Sequence, residues 1–163
     1  MTLNTTERHI VLVHPEIHWN TGNIGRTCVA TDTFLHLIKP LGFELSDKHV
    51  KRAGLDYWEH VKLSLWESYD VFCTALKPQT AEVYLYTKNG ERSFREMERL
   101  PRMFLVFGAE TKGLPQTILQ QYPSAATLYI PMLKGARSLN LSTSVGIALY
   151  ESLRGCDIVH AWK

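Results

Sequence analysis

Three short stretches of this chain combine glycine, amide, hydroxyl and cationic residues at spacings suited to gripping a flat, polar ligand. The first is Asn20-Thr21-Gly22-Asn23-Ile24-Gly25-Arg26. Asn and Thr are good helix caps, and the two glycines let a partner approach the backbone closely. On a helix Ile24, Cys28 and Thr31 share one face, and Arg26 points roughly the opposite way. Two readings stand side by side: a capped helix with a surface arginine, or a guanidinium presented to a cleft.

The second stretch, Phe107-Gly108-Ala109-Glu110-Thr111-Lys112-Gly113-Leu114-Pro115, follows a strongly apolar run. A glycine at a strand's end permits close contact with a ligand, and Glu110 is expected to place a carboxylate in the crevice. An ordinary strand-to-helix turn would use the same residues, with Pro115 in the first helical turn. Neither the G-x-x-x-x-G-K-[ST] nor the G-x-G-x-x-G pattern is met, which disfavours nucleotide triphosphate hydrolysis and nicotinamide redox chemistry. The third stretch runs from Ile130-Pro131-Met132 to Ser138-Leu139-Asn140-Leu141-Ser142. Ser138, Asn140 and Ser142 are each suited to capping the helix that follows. Ile130, Met132 and Leu139, with the loop's backbone amides, equally suit a pocket for a purine and a thioether.

These loops need elements to hold them. Ile10-Val11-Leu12-Val13, Leu35 to Ile38, Val83-Tyr84-Leu85-Tyr86, Met103 to Phe107 and Leu128-Tyr129-Ile130 read as strands. Several are nearly continuous in apolar residues, as in a parallel sheet covered on both faces. Helices are expected over about 22–34, near 47–53, 66–76, 93–97 and 115–121, and from Asn140 as N-cap to Gly155 just past the end. In that last helix Leu141, Val145, Ala148, Leu149 and Leu153 form one apolar stripe. Alternating strands and helices predict one α/β domain over 1–163 around a mostly parallel sheet, with ligands beyond the carboxyl ends of its strands.

The bulk properties restrict the partners. Formal net charge is +2, from 18 basic and 16 acidic residues, so an RNA-binding surface must concentrate its charge in patches or double it by self-association. Cys28, Cys73 and Cys156 show neither a disulfide framework nor a zinc spacing, and a reducing compartment is expected. The polar start and the lack of a long apolar run predict a cytoplasmic protein with no membrane partner. The seven histidines contain no HExxH pair; structural or surface roles are expected for them, and no metal.

Taken in order, N-T-G-N-I-G-R, F-G-A-E-T-K-G-L-P and I-P-M-x5-S-L-N-L-S resemble the three signature motifs of the SPOUT superfamily of RNA 2′-O-methyltransferases. Arg52-Ala53-Gly54-Leu55-Asp56-Tyr57 is similar to a segment of the branch that methylates the tRNA wobble nucleotide, cytidine or modified uridine. The likeness runs from about residue 9 to 154. It implies a C-terminal deep trefoil knot over roughly 82–155, a homodimer, and S-adenosyl-L-methionine (AdoMet) as methyl donor. By position it implies cofactor contacts at Leu85, Gly108, Ile130 and Ser138, with Glu110, Met132 and Leu139 as neighbours. Arg26 matches the arginine assigned to catalysis, and Tyr150 with Glu151 matches the end of the third motif. Gly25 stands where a bulky apolar residue is commoner, and Thr143-Ser144 where Asn-Ala is frequent.

Transfer to a ribose 2′-oxygen requires alignment of acceptor, methyl and sulfur, and a group to take the hydroxyl proton. A guanidinium stays protonated, so Arg26 is expected to hold a phosphate and orient the 2′-oxygen, with the proton acceptor left open. RNA contacts are expected at Asn23, Lys51, Arg52, Arg137 and Tyr150, in a partner that is a tRNA anticodon stem-loop. Lys48, His49, Lys134, Tyr57 and Trp58 add charge and stacking surface nearby. The rival readings are a 2′-O-methyltransferase acting on ribosomal RNA or another tRNA position, a non-catalytic RNA-binding protein on the same fold, and a small-molecule AdoMet or nucleotide-binding enzyme.

Overall fold

A computed structural model describes residues 6–45 and 55–156. Within these residues seven strands form one sheet: β1 (Glu7–Val13), β2 (Phe34–Ile38), β3 (Lys62–Trp66), β4 (Val83–Tyr86), β5 (Arg92–Ser93), β6 (Arg102–Phe107) and β7 (Thr127–Tyr129). Their spatial order is β3-β2-β1-β6-β4-β7-β5, and every pairing is parallel. The chain twice returns to insert a strand between neighbours laid down earlier, β6 beside β4 and β7 between β4 and β5.

Among the described residues four α-helices cover the faces: α1 (His18–Ala30), α2 (Tyr69–Leu76), α3 (Gln116–Leu119) and α4 (Leu141–Ser152). Strand alternation divides the core. Ile10, Leu12, Tyr84, Tyr86, Met103, Leu105 and Phe107 face α1 and α4, packing with Ile24, Cys28, Val145 and Leu149. Val11, Val13, Val83, Leu85, Phe104 and Val106 face the other way, against Phe72 and Ile118. Continuous apolar strands are the consequence of burying both faces. Among the described residues, no helix is long and apolar enough to cross a membrane.

The strands expected around 10–13, 35–38, 83–86, 103–107 and 128–130 are all present, within a few residues at their ends. The helix expected over 66–76 is present as α2, starting at Tyr69, and a strand not expected from the sequence, β3, precedes it. Lys62-Leu63-Ser64-Leu65-Trp66 alternates polar and apolar as a half-covered edge strand does, and Ser68 then caps α2 by accepting the Val71 N–H. The stretch near 93–97 is a short strand and a single 3₁₀ turn. The helix expected near 47–53 lies outside the described residues.

Buried polar groups brace the end of the sheet away from the loops of interest. Arg8 is 2% exposed, and its guanidinium donates to Ser152 Oγ, to the Ser152 carbonyl at the end of α4, and to the carbonyls of Glu7, Leu100 and Pro101. A cation held by carbonyls at a helix C-terminus is favoured by the helix dipole, which offsets part of its burial. Across β1, β2 and β3 runs a second chain of contacts. The Trp66 indole N–H donates to His36 Nδ1, so His36 Nε2 carries a proton and donates to His9 Nδ1, and His9 Nε2 in turn donates to the Glu7 carboxylate.

Candidate functional site

Beyond the carboxyl ends of β4, β6 and β7 opens a cleft of about 790 Å³, within the range of sites that enclose a drug-sized molecule. Phe107, Leu114, Leu128 and Ile130 supply apolar surface, while Thr87, Asn89, Ser138 and Ser144 supply hydroxyl and amide groups. Tyr86 and Phe107, from adjacent strands, stack with centroids 4.6 Å apart and form an aromatic step beneath it.

The cleft's walls are loops that the sequence singled out, and they are tied together by amide and carboxylate groups. The Glu110 carboxylate accepts the backbone N–H of Glu16 at 2.7 Å and of Ile17 at 3.0 Å, and the Asn20 side-chain amide at 3.2 Å. Asn20 Oδ1 then accepts from Asn140 Nδ2 at 3.0 Å, and Asn140 Oδ1 accepts the N–H groups of Ser142 and Thr143 as the N-cap of α4. Thr111 closes the circuit by donating to the Glu16 carboxylate. The first, second and third stretches therefore meet in one network.

That network corrects one expectation. Asn20 and Thr21 do not cap α1; the helix begins at His18, both are buried within its first turn, and the acceptor for the N–H groups at its entrance is Glu110 from a loop some ninety residues away. Helix α1 has no acidic residue in its own first turn, so a carboxylate from elsewhere meets the positive end of its dipole. Glu110 lines the cleft, as expected, with its oxygens engaged by these donors. Gly108 lines the cleft and is also required to be glycine by its own loop. A Cβ there would stand 2.0 Å from the Gly113 carbonyl carbon and 2.2 Å from the Leu114 nitrogen. The 108–113 loop closes on itself through Ala109 and Gly113, with Gly113 at φ 66°.

Six residues expected at the cofactor line this cleft: Gly108, Glu110, Ile130, Met132, Ser138 and Leu139. Leu85 does not. It is fully buried toward α2 and α3, and strand alternation puts its neighbour Tyr86 at the cleft. The sequence reading missed the loop after β4, Thr87-Lys88-Asn89, although it follows an apolar strand just as the chosen loops do. Gly90 lets that loop lie on β7, since a Cβ would fall 2.4 Å from the Leu128 carbonyl carbon.

Arg26 is exposed and absent from the cleft's lining; it lies six residues beyond Asn20, about 9 Å along the helix. Its guanidinium sits over the Tyr57 ring, 4.9 Å from the centroid. The small Gly25 leaves room for Trp58, whose ring would be 3.0 Å from a Cβ there, so the aromatic supplies the bulk that the helix itself lacks. Asn23, Arg137 and Tyr150 are exposed, Tyr150 at 55%. Lys48, His49, Lys51 and Arg52 lie outside the described residues. Among the described residues no cluster of three or more His, Cys, Asp or Glu side chains is arranged to hold a metal ion.

Comparison with known proteins agrees with this architecture. Residues 7–150 match the model of the SpoU rRNA Methylase family. A Burkholderia ambifaria protein named tRNA (cytidine(34)-2′-O)-methyltransferase is 41% identical over 146 residues, covering 90% of this chain and 94% of its own. A Listeria monocytogenes relative, which carries the same name in provisional form, is 50% identical over 149 residues, covering 90% of this chain and 86% of its own. A solved structure concerned with the 2-OH methylation of C/U34 on tRNA superposes with a TM-score of 0.84 at 47% identity, over 92% of this chain and 96% of that one. The match to the family model spans all three loops of the cleft and the strands that carry them, and this chain belongs to the SpoU rRNA Methylase family.

Proposed function

We propose that this protein transfers the methyl group of AdoMet to the ribose 2′-OH of the wobble nucleotide of a tRNA, reading it in the anticodon stem-loop. The observation that carries the reading is the cleft built where the loops after β6 and β7 meet the start of α4, in a chain whose relatives bear that activity in their names.

The donor set fits AdoMet. Apolar surface from Leu114, Leu128 and Ile130 suits a purine and a thioether, and the hydroxyl and amide groups of Thr87, Asn89 and Ser138 suit the ribose and amino-acid ends. When bound, AdoMet supplies a methyl on a sulfonium already activated by its charge. The protein's task is alignment, which contributes on the order of several kcal/mol. The Glu110–Asn20–Asn140 network holds the walls in register for it. Arg26 binds a phosphate beside the target and orients the 2′-oxygen; a guanidinium offers donors and no acceptor, so it is not the base. Asn23, Lys51, Arg52, Arg137 and Tyr150 contribute to the RNA surface.

Because Arg26 lies away from its own cleft, the reading includes a homodimer in which one copy's α1 serves the RNA beside its partner's cleft. Support comes from apolar groups left exposed on α4 and the 130–140 loop: Leu133 at 88% and Ile147 at 37%. We also propose that residues 1–163 form one SPOUT domain with a trefoil knot over about 82–155, a reading supported by the two late strand insertions of β6 and β7. Free thiols at Cys28, Cys73 and Cys156 suit the cytoplasm, where its substrate resides.

Purified protein incubated with labelled AdoMet and bulk tRNA should label the RNA, and mass spectrometry of nuclease fragments should find the methyl on the wobble ribose. Label in ribosomal RNA alone, or at another tRNA position, would replace this reading with a different substrate.

A further inference from the structure

The rim of the cleft is cationic in a way that its cofactor does not explain. The charged side chains among its lining residues are Lys88, on the loop after β4, and Glu110 and Lys112, on the loop after β6. Glu110 is engaged by the Glu16, Ile17 and Asn20 donors, so its charge is compensated within the wall. Both lysines are exposed, and neither forms an ion pair with a described residue. Strands β4 and β6 are neighbours, with Tyr86 opposite Phe107, so the two loops leave the sheet side by side. The loop after β7 adds Lys134 and Arg137, both exposed, between its lining residues Met132 and Ser138. Cations thus stand on each of the loops that follow the cleft's strands.

AdoMet carries a sulfonium and an ammonium against a single carboxylate, a net positive charge. Unpaired ammonium groups at the mouth therefore disfavour the cofactor by itself and favour a polyanion laid across the opening. Resting on the function proposed above, we infer that Lys88 and Lys112 hold backbone phosphates of the RNA over the cofactor cleft. The rival anion is the cofactor's own carboxylate, which one ammonium suffices to pair and which leaves the cations of the other loops without a role. Phosphates recur along a strand, so one RNA engages cations on several loops at once. Such contacts position the RNA and do not read its sequence. Neutralising the rim also relieves the repulsion felt by the sulfonium. RNA and AdoMet therefore bind with positive coupling, by the same factor in either order.

The test uses the full-length protein, a fluorescent anticodon stem-loop RNA with cytidine at the wobble position, and calorimetry with AdoMet. Lys88→Gln and Lys112→Gln should each weaken RNA binding by about three- to tenfold and lose about one unit of the log–log salt slope. Lys88→Arg and Lys112→Arg, which keep the charge, should stay within about twofold of wild type. AdoMet affinity in the glutamine variants should hold or rise, by up to about twofold. Saturating RNA should tighten AdoMet in the wild type more than in the combined glutamine variant. Unchanged RNA affinity or an unaltered salt slope in either glutamine variant would overturn the assignment. So would a fall in AdoMet affinity beyond about threefold with RNA affinity intact, which would give the lysines to the cofactor's carboxylate. If the wild type binds the stem-loop but methylates neither it nor bulk tRNA, the proposed function falls instead, and the comparison of RNA binding between wild type and variants still decides the role of the two lysines.

Discussion

Asn20 accepts a hydrogen bond from Asn140 at 3.0 Å across 120 positions of sequence, and donates to Glu110 at 3.2 Å with its other end. One amide, nearly buried, thereby joins the entrance of α1, the loop after β6 and the N-cap of α4. Its two ends have complementary roles, donor and acceptor, which no carboxylate can reproduce.

Asn20→Ala should therefore loosen two cleft walls at once. The loss of two partly buried hydrogen bonds costs about 1 to 2 kcal/mol. If wall order is what the ligand needs, AdoMet affinity by calorimetry falls about five- to thirtyfold. Asn20→Asp should be worse, because it turns the donor that faces Glu110 into a second carboxylate. Equal affinity in wild type and both variants would mean that the network braces the fold but not the site.

Gly108 sits where the loop's own backbone fills the space of a side chain. Gly108→Val must push Gly113 and Leu114 outward, and these residues line the cleft. AdoMet binding should drop below detection in titration calorimetry, with the β6 core beneath retaining its packing. Unchanged cofactor affinity would place the binding site elsewhere.

Arg26 is exposed and does not line its own cleft, so its removal should spare the cofactor. Arg26→Ala is expected to lower kcat by about 10²- to 10³-fold and to leave AdoMet affinity within about twofold. RNA affinity should fall as salt rises, and the variant should lose about one unit of the log–log salt slope, the signature of a missing phosphate contact. Full activity in the variant would remove Arg26 from the mechanism.

How much of this was legible beforehand depended on the range of the interactions. The strands of the buried sheet announce themselves because both faces are apolar, as in Met103 to Phe107, and the Asn140 cap of α4 lies next to the helix it serves. The α1 entrance could not be read locally: its acceptor, Glu110, belongs to a loop that only the parallel β1–β6 pairing brings near. Strand β3 is not legible in the sequence because an edge strand shows only half an apolar pattern. Leu85 was placed at the cofactor by motif position, whereas the pleat turns its side chain into the opposite core and offers Tyr86 instead. The functional assignment itself came from the order of three motifs, a signal that hydrophobic periodicity does not carry.

The buried His36–His9 pair makes stability depend on pH in a definite direction. Burial, reinforced by the nearby His9, lowers the His36 pKa to about 3, and burial also lowers that of His9 against the opposing effect of its hydrogen bond to the Glu7 carboxylate. In the unfolded chain each histidine titrates near 6.5. Above about pH 7 both states are neutral and the full stability is present. As pH falls below about 6.5 the unfolded chain takes up protons that the fold refuses, and stability declines toward pH 3 by about 1.4 kcal/mol per pH unit for His36. Glu82, lowered by its hydrogen bonds from Arg102, adds a loss of the same sign only in the more acidic carboxylate range. Urea unfolding at pH 7.5 and 5.5 samples the histidine window alone and should show a loss of at least about 1 kcal/mol. His36→Gln, which keeps a donor toward His9 and cannot titrate, should flatten that difference even if it lowers stability at both pH values. The same pH difference in the variant would show that His36 does not carry it.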